Sequence, residues 1–126
     1  MADARTKLST AEKIARVRES YGAAERGDFE KAAEGLADDA VFHSQLRNRD
    51  FKGRAVVLAE QLKQRDEYKP EYRVHDVTAS DEHVVVLMDV SQEVDGKRQS
   101  RQLVHVLHVD DEGKAKEIWS IYNPES

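Results

Sequence analysis

The chain has 126 residues, with 20 Lys and Arg against 25 Asp and Glu, which gives a formal net charge of −5. This length predicts a single domain over residues 1–126 with an ordinary hydrophobic core. The mildly acidic balance argues against a partner such as nucleic acid, which is bound mainly through phosphate contacts. The absence of Cys excludes disulfides and thiolate metal sites, and it favours a reducing, cytoplasmic location. Because no apolar run is long enough to span a bilayer or to serve as a signal peptide, we expect no membrane partner.

The first predicted element is an amphipathic helix over about residues 10–26. Ser9 followed by Glu12 fits a capping box at its start, and Gly27 supplies its stop. One stripe of apolar residues falls at helical spacing: Ile14, Val17, Tyr21 and Ala24. This stripe is expected to face the core.

The pattern changes before the middle of the chain. Asp28 can cap a second, shorter helix that runs to about Leu36. Residues 40–44 predict a short strand, and residues 45–52 predict a polar loop. A third helix follows and ends before Pro70.

From about residue 71 onward the sequence predicts antiparallel strands joined by tight turns. The strands are indicated over residues 72–79, 83–94, 97–109 and 114–122. Between the second and third of them, Asp95 and Gly96 form a dipeptide that favours a type I′ hairpin turn. Helices first and antiparallel strands afterwards are typical of an α+β fold.

Two of these strands are apolar on both faces, at residues 84–88 and 103–107. Solvent cannot cover either face of a sheet centred on such strands. One face is therefore expected to pack against the helices, and the other against a second subunit.

Four short strings resemble, in their order and spacing, the nuclear transport factor 2-like superfamily, which includes the ketosteroid isomerases and the SnoaL-like polyketide cyclases. They are RGDF at 26–29, LADDAVF at 36–42, FKGR at 51–54 and DEGK at 111–114. The resemblance implies a cone-shaped, curved antiparallel sheet packed on three N-terminal helices, with an internal pocket. It also implies dimers formed through the outer face of the sheet.

The resemblance does not extend to the catalytic groups of the ketosteroid isomerases. Those enzymes use a Tyr on the first helix, an Asp base at the end of the first strand and a protonated Asp on a central strand. The matching positions here are Ser20, Ser44 and His105. Steroid isomerisation by that mechanism is therefore not expected.

His105 is the most informative candidate residue, because it interrupts an apolar run on a strand predicted to be central. Burial lowers the pKa of an imidazole and suits it to proton transfer near neutral pH. The alternative is a core histidine satisfied by one hydrogen bond. If His105 instead lies in an apolar cavity, its replacement by Leu is expected to cost little stability. His43 is the second catalytic candidate, since it could pair with His105 or activate a water. Its alternative is a half-exposed strand histidine.

Alternation along the strands defines a proposed pocket face. Its residues are Tyr21, Val57, Leu58 and Gln61 from the helices and Met88, Val90, Leu103, Ser120 and Tyr122 from the strands. A mostly apolar cavity with a few polar groups is the usual composition of a small-molecule site, although the same residues could fill a core. The opposite face is an expected homodimer interface, and it carries Val85, Val104, Val106, Trp119 and Ile121.

No metal site or cofactor is expected. His105 and His108 are three apart on a strand, so they lie on opposite faces and cannot chelate one ion. Two hypotheses of function follow. In the first, the chain is a cofactor-independent acid–base enzyme, an isomerase, cyclase or hydrolase, that acts on a small apolar organic molecule through His105. In the second, it is a non-catalytic ligand-binding or dimeric interaction module.

Overall fold

The computed structural model of the protein describes residues 8–123. The prediction that the start of the chain is not a signal peptide concerns residues outside this range. The helices are α1 (Thr10–Glu25), α2 (Phe29–Ala33) and α3 (Arg54–Tyr68). The strands are β1 (Leu36–Ser44), β2 (Arg49–Lys52), β3 (Glu71–Ala79), β4 (His83–Val94), β5 (Lys97–Val109) and β6 (Ala115–Tyr122). Within the described range, no helix is long and apolar enough to cross a membrane.

The capping signals of the first two helices are confirmed. Ser9 Oγ accepts a hydrogen bond from the Glu12 amide at 3.1 Å, and the Glu12 carboxylate accepts one from the Ser9 amide at 2.8 Å. The Asp28 carboxylate accepts from the Lys31 amide at 3.1 Å and so begins α2. Because these caps satisfy amides that have no partner within the helix, they set where each helix starts.

The α+β class is confirmed, but the sheet is mixed rather than wholly antiparallel. The six strands lie in the order β2-β1-β6-β5-β4-β3. β1 and β6 pair in parallel, for example at His43 and Trp119, while the other neighbouring strands pair antiparallel. A parallel pair needs a long crossover connection, and here α3 and four strands lie between its members. Alternation within single strands carries no signal of such a pairing.

The loop predicted over residues 45–52 is wrong in its second half. β2 pairs antiparallel with β1, with Val41 opposite Lys52 and Ser44 opposite Arg49. Phe51 is its one buried residue and lies among three exposed ones. A four-residue edge strand with a single apolar position is too short to show the alternation that predicts strands.

The β4–β5 hairpin is confirmed, and it sets the register of the site. Asp95 and Gly96 have φ angles of 53° and 78°, as a type I′ turn requires at its two central positions. The hairpin places Met88 opposite Leu103 and Val86 opposite His105. Side chains at these positions share the inner face of the sheet.

The two faces of the sheet differ in what covers them. The inner face packs on the helices and contributes Val84, Val86, Met88, Leu107, Val109 and Ile118 to the core. The outer face has no covering element among residues 8–123, and on it Leu87 is 40% and Ile121 47% exposed. The alternation along β4, β5 and β6 therefore places the two sets of strand residues on opposite faces, as expected.

Candidate functional site

A cavity of about 140 Å³ lies between the inner face of the sheet and the helices. Most of its wall is apolar and includes Val17, Phe29, Phe42, Val57, Met88 and Leu103. An apolar cavity of about 150 Å³ is large enough to hold benzene. The space therefore fits a ring of six or seven heavy atoms.

The structure places all of the proposed pocket residues on the cavity wall except Leu58. Leu58 instead packs against the hydrophobic core. It follows Val57 on α3, and consecutive helical residues point about 100° apart, so only one of the two can face the cavity directly. The three positions matched to isomerase catalytic groups, Ser20, Ser44 and His105, all line the cavity as well.

His105 lies between two hydroxyl groups. Its Nδ1 is 2.6 Å from Tyr21 Oη, and its Nε2 is 3.0 Å from Ser120 Oγ. The residue is 8% exposed, and the ring of Phe42 packs edge-on against the imidazole with centroids 5.5 Å apart. We call Tyr21, His105 and Ser120 the hydroxyl–imidazole chain. Both ring nitrogens are satisfied, so His105 has two hydrogen-bond partners, where the core-histidine alternative expected one.

Different parts of the fold position the members of this chain. His105 on β5 and Ser120 on β6 are direct partners in the antiparallel register, which brings their side chains together on one face. Tyr21 comes from α1, which packs across that face. Alternation along β5 and β6 predicts that His105 and Ser120 share one face of the sheet. No signal in the sequence indicates the contact between a helix and a strand 84 residues apart.

Burial keeps the hydroxyl–imidazole chain uncharged near neutral pH. Desolvation lowers the pKa of His105 to about 3, since neither of its hydrogen-bond partners is a carboxylate that could stabilise the imidazolium. Desolvation also raises the pKa of the Tyr21 hydroxyl well above its usual range. The lowered pKa of His105 agrees in direction with the effect expected from burial.

A neutral imidazole has one donor and one acceptor, so two hydrogen-bond arrangements are available. In one, Nδ1–H donates to Tyr21 and the Ser120 hydroxyl donates to Nε2. In the other, Tyr21 donates to Nδ1 and Nε2–H donates to Ser120. In both, one hydroxyl accepts from His105 and keeps its own proton for a molecule in the cavity.

The structure does not bring His43 and His105 together. Phe42 lines the cavity, so the next residue on β1, His43, points to the outer face. There its Nδ1 is 2.8 Å from Asp50 Oδ1 and its Nε2 is 2.5 Å from Glu117 Oε2. The hydrogen bond to Glu117 and then that to Asp50 raise the pKa of His43. His43 is thus a half-buried strand histidine between two carboxylates.

Within residues 8–123, no group of three or more His, Asp and Glu side chains is placed to hold a metal ion. His108 lies on the outer face beside His83, with ring centroids 5.4 Å apart. It is therefore separated from His105 by the sheet, as their spacing predicted.

Residues 17–118 match the family model described as the SnoaL-like domain. No curated protein is similar enough in sequence to match the chain. The match spans all three helices in part or whole and five strands completely.

Solved structures share the fold at low sequence identity. A protein from a soil-derived mobile gene cassette is 23% identical with a TM-score of 0.82, and the match covers 92% of this chain and 93% of that one. An NTF2-like protein from Burkholderia pseudomallei is 22% identical with a TM-score of 0.78 and 92% coverage of both chains. An LEH-like epoxide hydrolase from M. tuberculosis is 19% identical with a TM-score of 0.77, covering 90% of this chain and 84% of that one.

Proposed function

The chain belongs to the SnoaL-like domain family, and we propose that its cavity binds a small, largely apolar organic molecule whose polar group hydrogen-bonds to Tyr21 or Ser120. The observation that carries this proposal is the uncharged hydroxyl–imidazole chain in an apolar cavity of about 140 Å³. The hydroxyl–imidazole chain can donate one hydroxyl proton to a ligand, and it carries no charge that would attract an ion.

The chemistry of the cavity favours an uncharged ligand. An ion would lose its hydration on entering, and the buried groups around His105 provide no opposite charge to compensate. A ring with a single carbonyl or hydroxyl group loses little hydration and gains one hydrogen bond. The fold is shared with an enzyme named as an epoxide hydrolase, which supports a role for the cavity in small-molecule chemistry.

The proposal is tested with phenol and toluene, which are nearly equal in size and differ in one hydroxyl group. We expect both to bind, as followed by NMR titration of amide signals around the cavity. A hydrogen bond contributes about 1 kcal/mol, so the variant that removes the hydroxyl bonded to phenol, either Tyr21→Phe or Ser120→Ala, should weaken phenol binding by about fivefold. Toluene binding should change little.

Ser91→Ala is the matched control for Ser120→Ala. Ser91 lies on β4 next to the wall residues Val90 and Gln92, but it is not part of the cavity wall. Its variant should bind phenol as the wild type does. Failure of both probes to bind, or equal affinity of phenol for all variants, would contradict the proposal.

A homodimer formed through the outer sheet face is the second part of the proposed function. The exposed side chains of Leu87 and Ile121 lie on the same face as Val104, Val106 and Trp119, and so large an apolar area is typical of an interface. Sedimentation equilibrium at micromolar concentration should give twice the chain mass of 14.3 kDa. Ile121→Lys should produce monomers, whereas Val56→Lys, at an exposed position on α3, should not.

A further inference from the structure

We propose that Gln61 recognises an uncharged amide group of the ligand, in which an N–H donor and a carbonyl acceptor lie side by side as they do in a lactam. The inference rests on the proposed function, since the ligand must first occupy the cavity. It goes further by naming a residue that selects among ligands and the chemical group that this residue selects.

The face of α3 that lines the cavity is mainly polar. Its wall residues recur at the three- and four-residue spacing of one helical face, and they are Val57, Glu60, Gln61 and Gln64. Such a face is apolar in a helix that only packs against a core, whereas here Val57 is its one apolar member. Polar side chains turned inward need an explanation that core packing does not supply.

Two of the three polar residues on this face bond to each other. Gln64 Nε2 donates to Glu60 Oε2 at 2.8 Å, and Arg47 Nε lies 3.9 Å from the same carboxylate oxygen. Glu60 and Gln64 therefore have partners within the protein, and their polarity is explained without a ligand.

Gln61 differs from them because its side-chain oxygen is unpaired. Gln61 Oε1 is buried, and no group among residues 8–123 donates a hydrogen bond to it. Burial of a polar atom without a hydrogen bond costs free energy. A ligand that donates a hydrogen bond to this oxygen would remove that cost, so the unpaired atom favours a ligand with a donor.

The amide of Gln61 also determines what lies beside that donor. A glutamine side chain has an acceptor oxygen and two N–H donors. The N–H of a lactam can donate to Oε1 while the lactam carbonyl accepts from Nε2, which gives two reciprocal hydrogen bonds. A ketone or a carboxylate has no donor and leaves Oε1 unpaired. Because the terminal torsion of a glutamine is broad, the amide can turn its oxygen towards the cavity at little cost.

The test compares 2-piperidone with cyclohexanone, which are uncharged rings of nearly equal size that differ by an N–H in place of a CH₂. Affinities are followed by NMR titration of amide signals around the cavity. Gln61→Leu should weaken 2-piperidone binding by about 25-fold, which corresponds to two hydrogen bonds of about fivefold each. Cyclohexanone binding should change by less than about twofold, since its carbonyl bonds to Tyr21 or Ser120 in the proposed function.

Two further glutamine variants control for the substitution itself. Gln99 is exposed on β5 and is not part of the cavity wall, so Gln99→Leu should bind both rings as the wild type does. Gln92 lies on the cavity wall but on β4, and Gln92→Leu should keep most of the preference for 2-piperidone. A loss of that preference in Gln92→Leu and not in Gln61→Leu would overturn the assignment to Gln61.

The stability of the ligand-free variant separates recognition from a structural role. Because Oε1 of Gln61 has no partner in the described part of the chain, Gln61→Leu should unfold at the same urea concentration as the wild type or at a higher one. Gln61→Met, whose side chain is unbranched like that of glutamine, takes its place if the Leu variant does not fold. A lower midpoint in both variants would identify Gln61 as a structural residue and overturn the proposal.

The outcomes also distinguish this inference from the proposed function. If both rings bind and Gln61→Leu affects them equally, the role of Gln61 is overturned and the binding function stays in place. If neither ring binds to the wild type, the binding function is contradicted together with the inference.

Discussion

His105 and His43 are the same residue type on the two faces of one sheet, and their surroundings shift their pKa values in opposite directions. Strand β6 contacts both histidines. Ser120 hydrogen-bonds to His105 on the inner face, and the preceding residue, Trp119, stacks on His43 on the outer face with ring centroids 5.5 Å apart. His105 is desolvated between two hydroxyls, so the pKa falls. His43 lies between Glu117 and Asp50, so the pKa rises.

This contrast shows that position on a sheet decides what a histidine can do. Inside, the imidazole stays neutral and can only exchange one tautomer for the other. Outside, hydrogen bonds to Glu117 and Asp50 raise the pKa of His43, which favours its charged form and allows it to serve as half of an ion pair. His105 therefore has hydroxyl partners that line the cavity, whereas His43 has carboxylate partners on the outer face, although the sequence makes both residues candidates for catalysis.

The largest expected effect is on stability. His105→Leu leaves the hydroxyls of Tyr21 and Ser120 without their partner in a desolvated site, and we expect the free energy of unfolding to fall by about 2–4 kcal/mol. The structure thus reverses the expectation that Leu would be tolerated. His43→Leu, at the half-exposed site, should cost less than about 1 kcal/mol. Urea unfolding measures both, and equal losses would break the contrast.

Acid should destabilise the protein through His105 and not through His43. In the unfolded chain both imidazoles titrate near pH 6.5, so lowering the folded pKa of His105 to about 3 means that the unfolded state binds more protons below pH 6.5. The stability contributed by a neutral His105 is complete above pH 6.5 and is lost as the pH falls towards 3. For His43 the folded pKa is raised, so its contribution is complete below pH 6.5 and is lost as the pH rises through the folded value.

Urea unfolding of wild type, His105→Gln and His43→Gln at pH 7 and at about pH 4.5 checks this prediction. His105→Gln should lose less stability on acidification than the wild type does, because its amide does not titrate. His43→Gln should lose more, because it lacks the stabilising imidazolium. The same response in all three proteins would show that neither histidine is shifted.

A smaller decrease in the free energy of unfolding is expected when one hydroxyl is removed from the hydroxyl–imidazole chain. Tyr21→Phe removes a single hydrogen bond at 2.6 Å and should cost about 1 kcal/mol. In His105→Leu, whose Tyr21 hydroxyl is already unpaired, the same change should cost nothing or restore stability. Thermal unfolding of the four proteins of this double-mutant cycle gives the coupling directly. A cycle with no coupling would mean that Tyr21 and His105 do not depend on each other.

The smallest effect concerns the outer face. Glu117→Gln should lower the pKa of His43 more than Asp50→Asn does, because the hydrogen bond to Glu117 is the larger cause of the shift. Stability should change by less than about 1 kcal/mol in either variant, as for other exposed ion pairs. NMR titration of the imidazole protons of His43 provides the measurement. An unchanged pKa in both variants would show that the carboxylates do not hold the charge.

Much of the fold could be predicted because its signals are local. The capping box at Ser9, the turn at Asp95 and Gly96, and the alternation along β4 and β5 depend on residues close in sequence. The sequence-based predictions are wrong where the structure does not depend on residues close in sequence. β2 is too short to alternate, and the parallel pairing of β1 with β6 joins strands separated by most of the chain.

The candidate site divides in the same way. Alternation on β4, β5 and β6 is enough to place Met88, Leu103, His105 and Ser120 on one face, and these residues line the cavity. Leu58 does not line the cavity, because helical spacing predicts which side chains face it only to within one residue. Cytoplasmic location, a single domain and dimer formation stay predictions.

By itself, the sequence determined the α+β class, the family and the presence of a lone imidazole on an apolar strand, since each depends on composition, order or short-range periodicity. Only the tertiary structure decided that Tyr21 contacts His105, that His43 lies on the other face of the sheet and that a cavity of about 140 Å³ remains between the inner face of the sheet and the helices. The physical reason is the sequence separation of the residues that interact. A hydrogen bond between a helix and a strand, and a space that no side chain fills, depend on how whole elements pack, and no residue encodes either one alone.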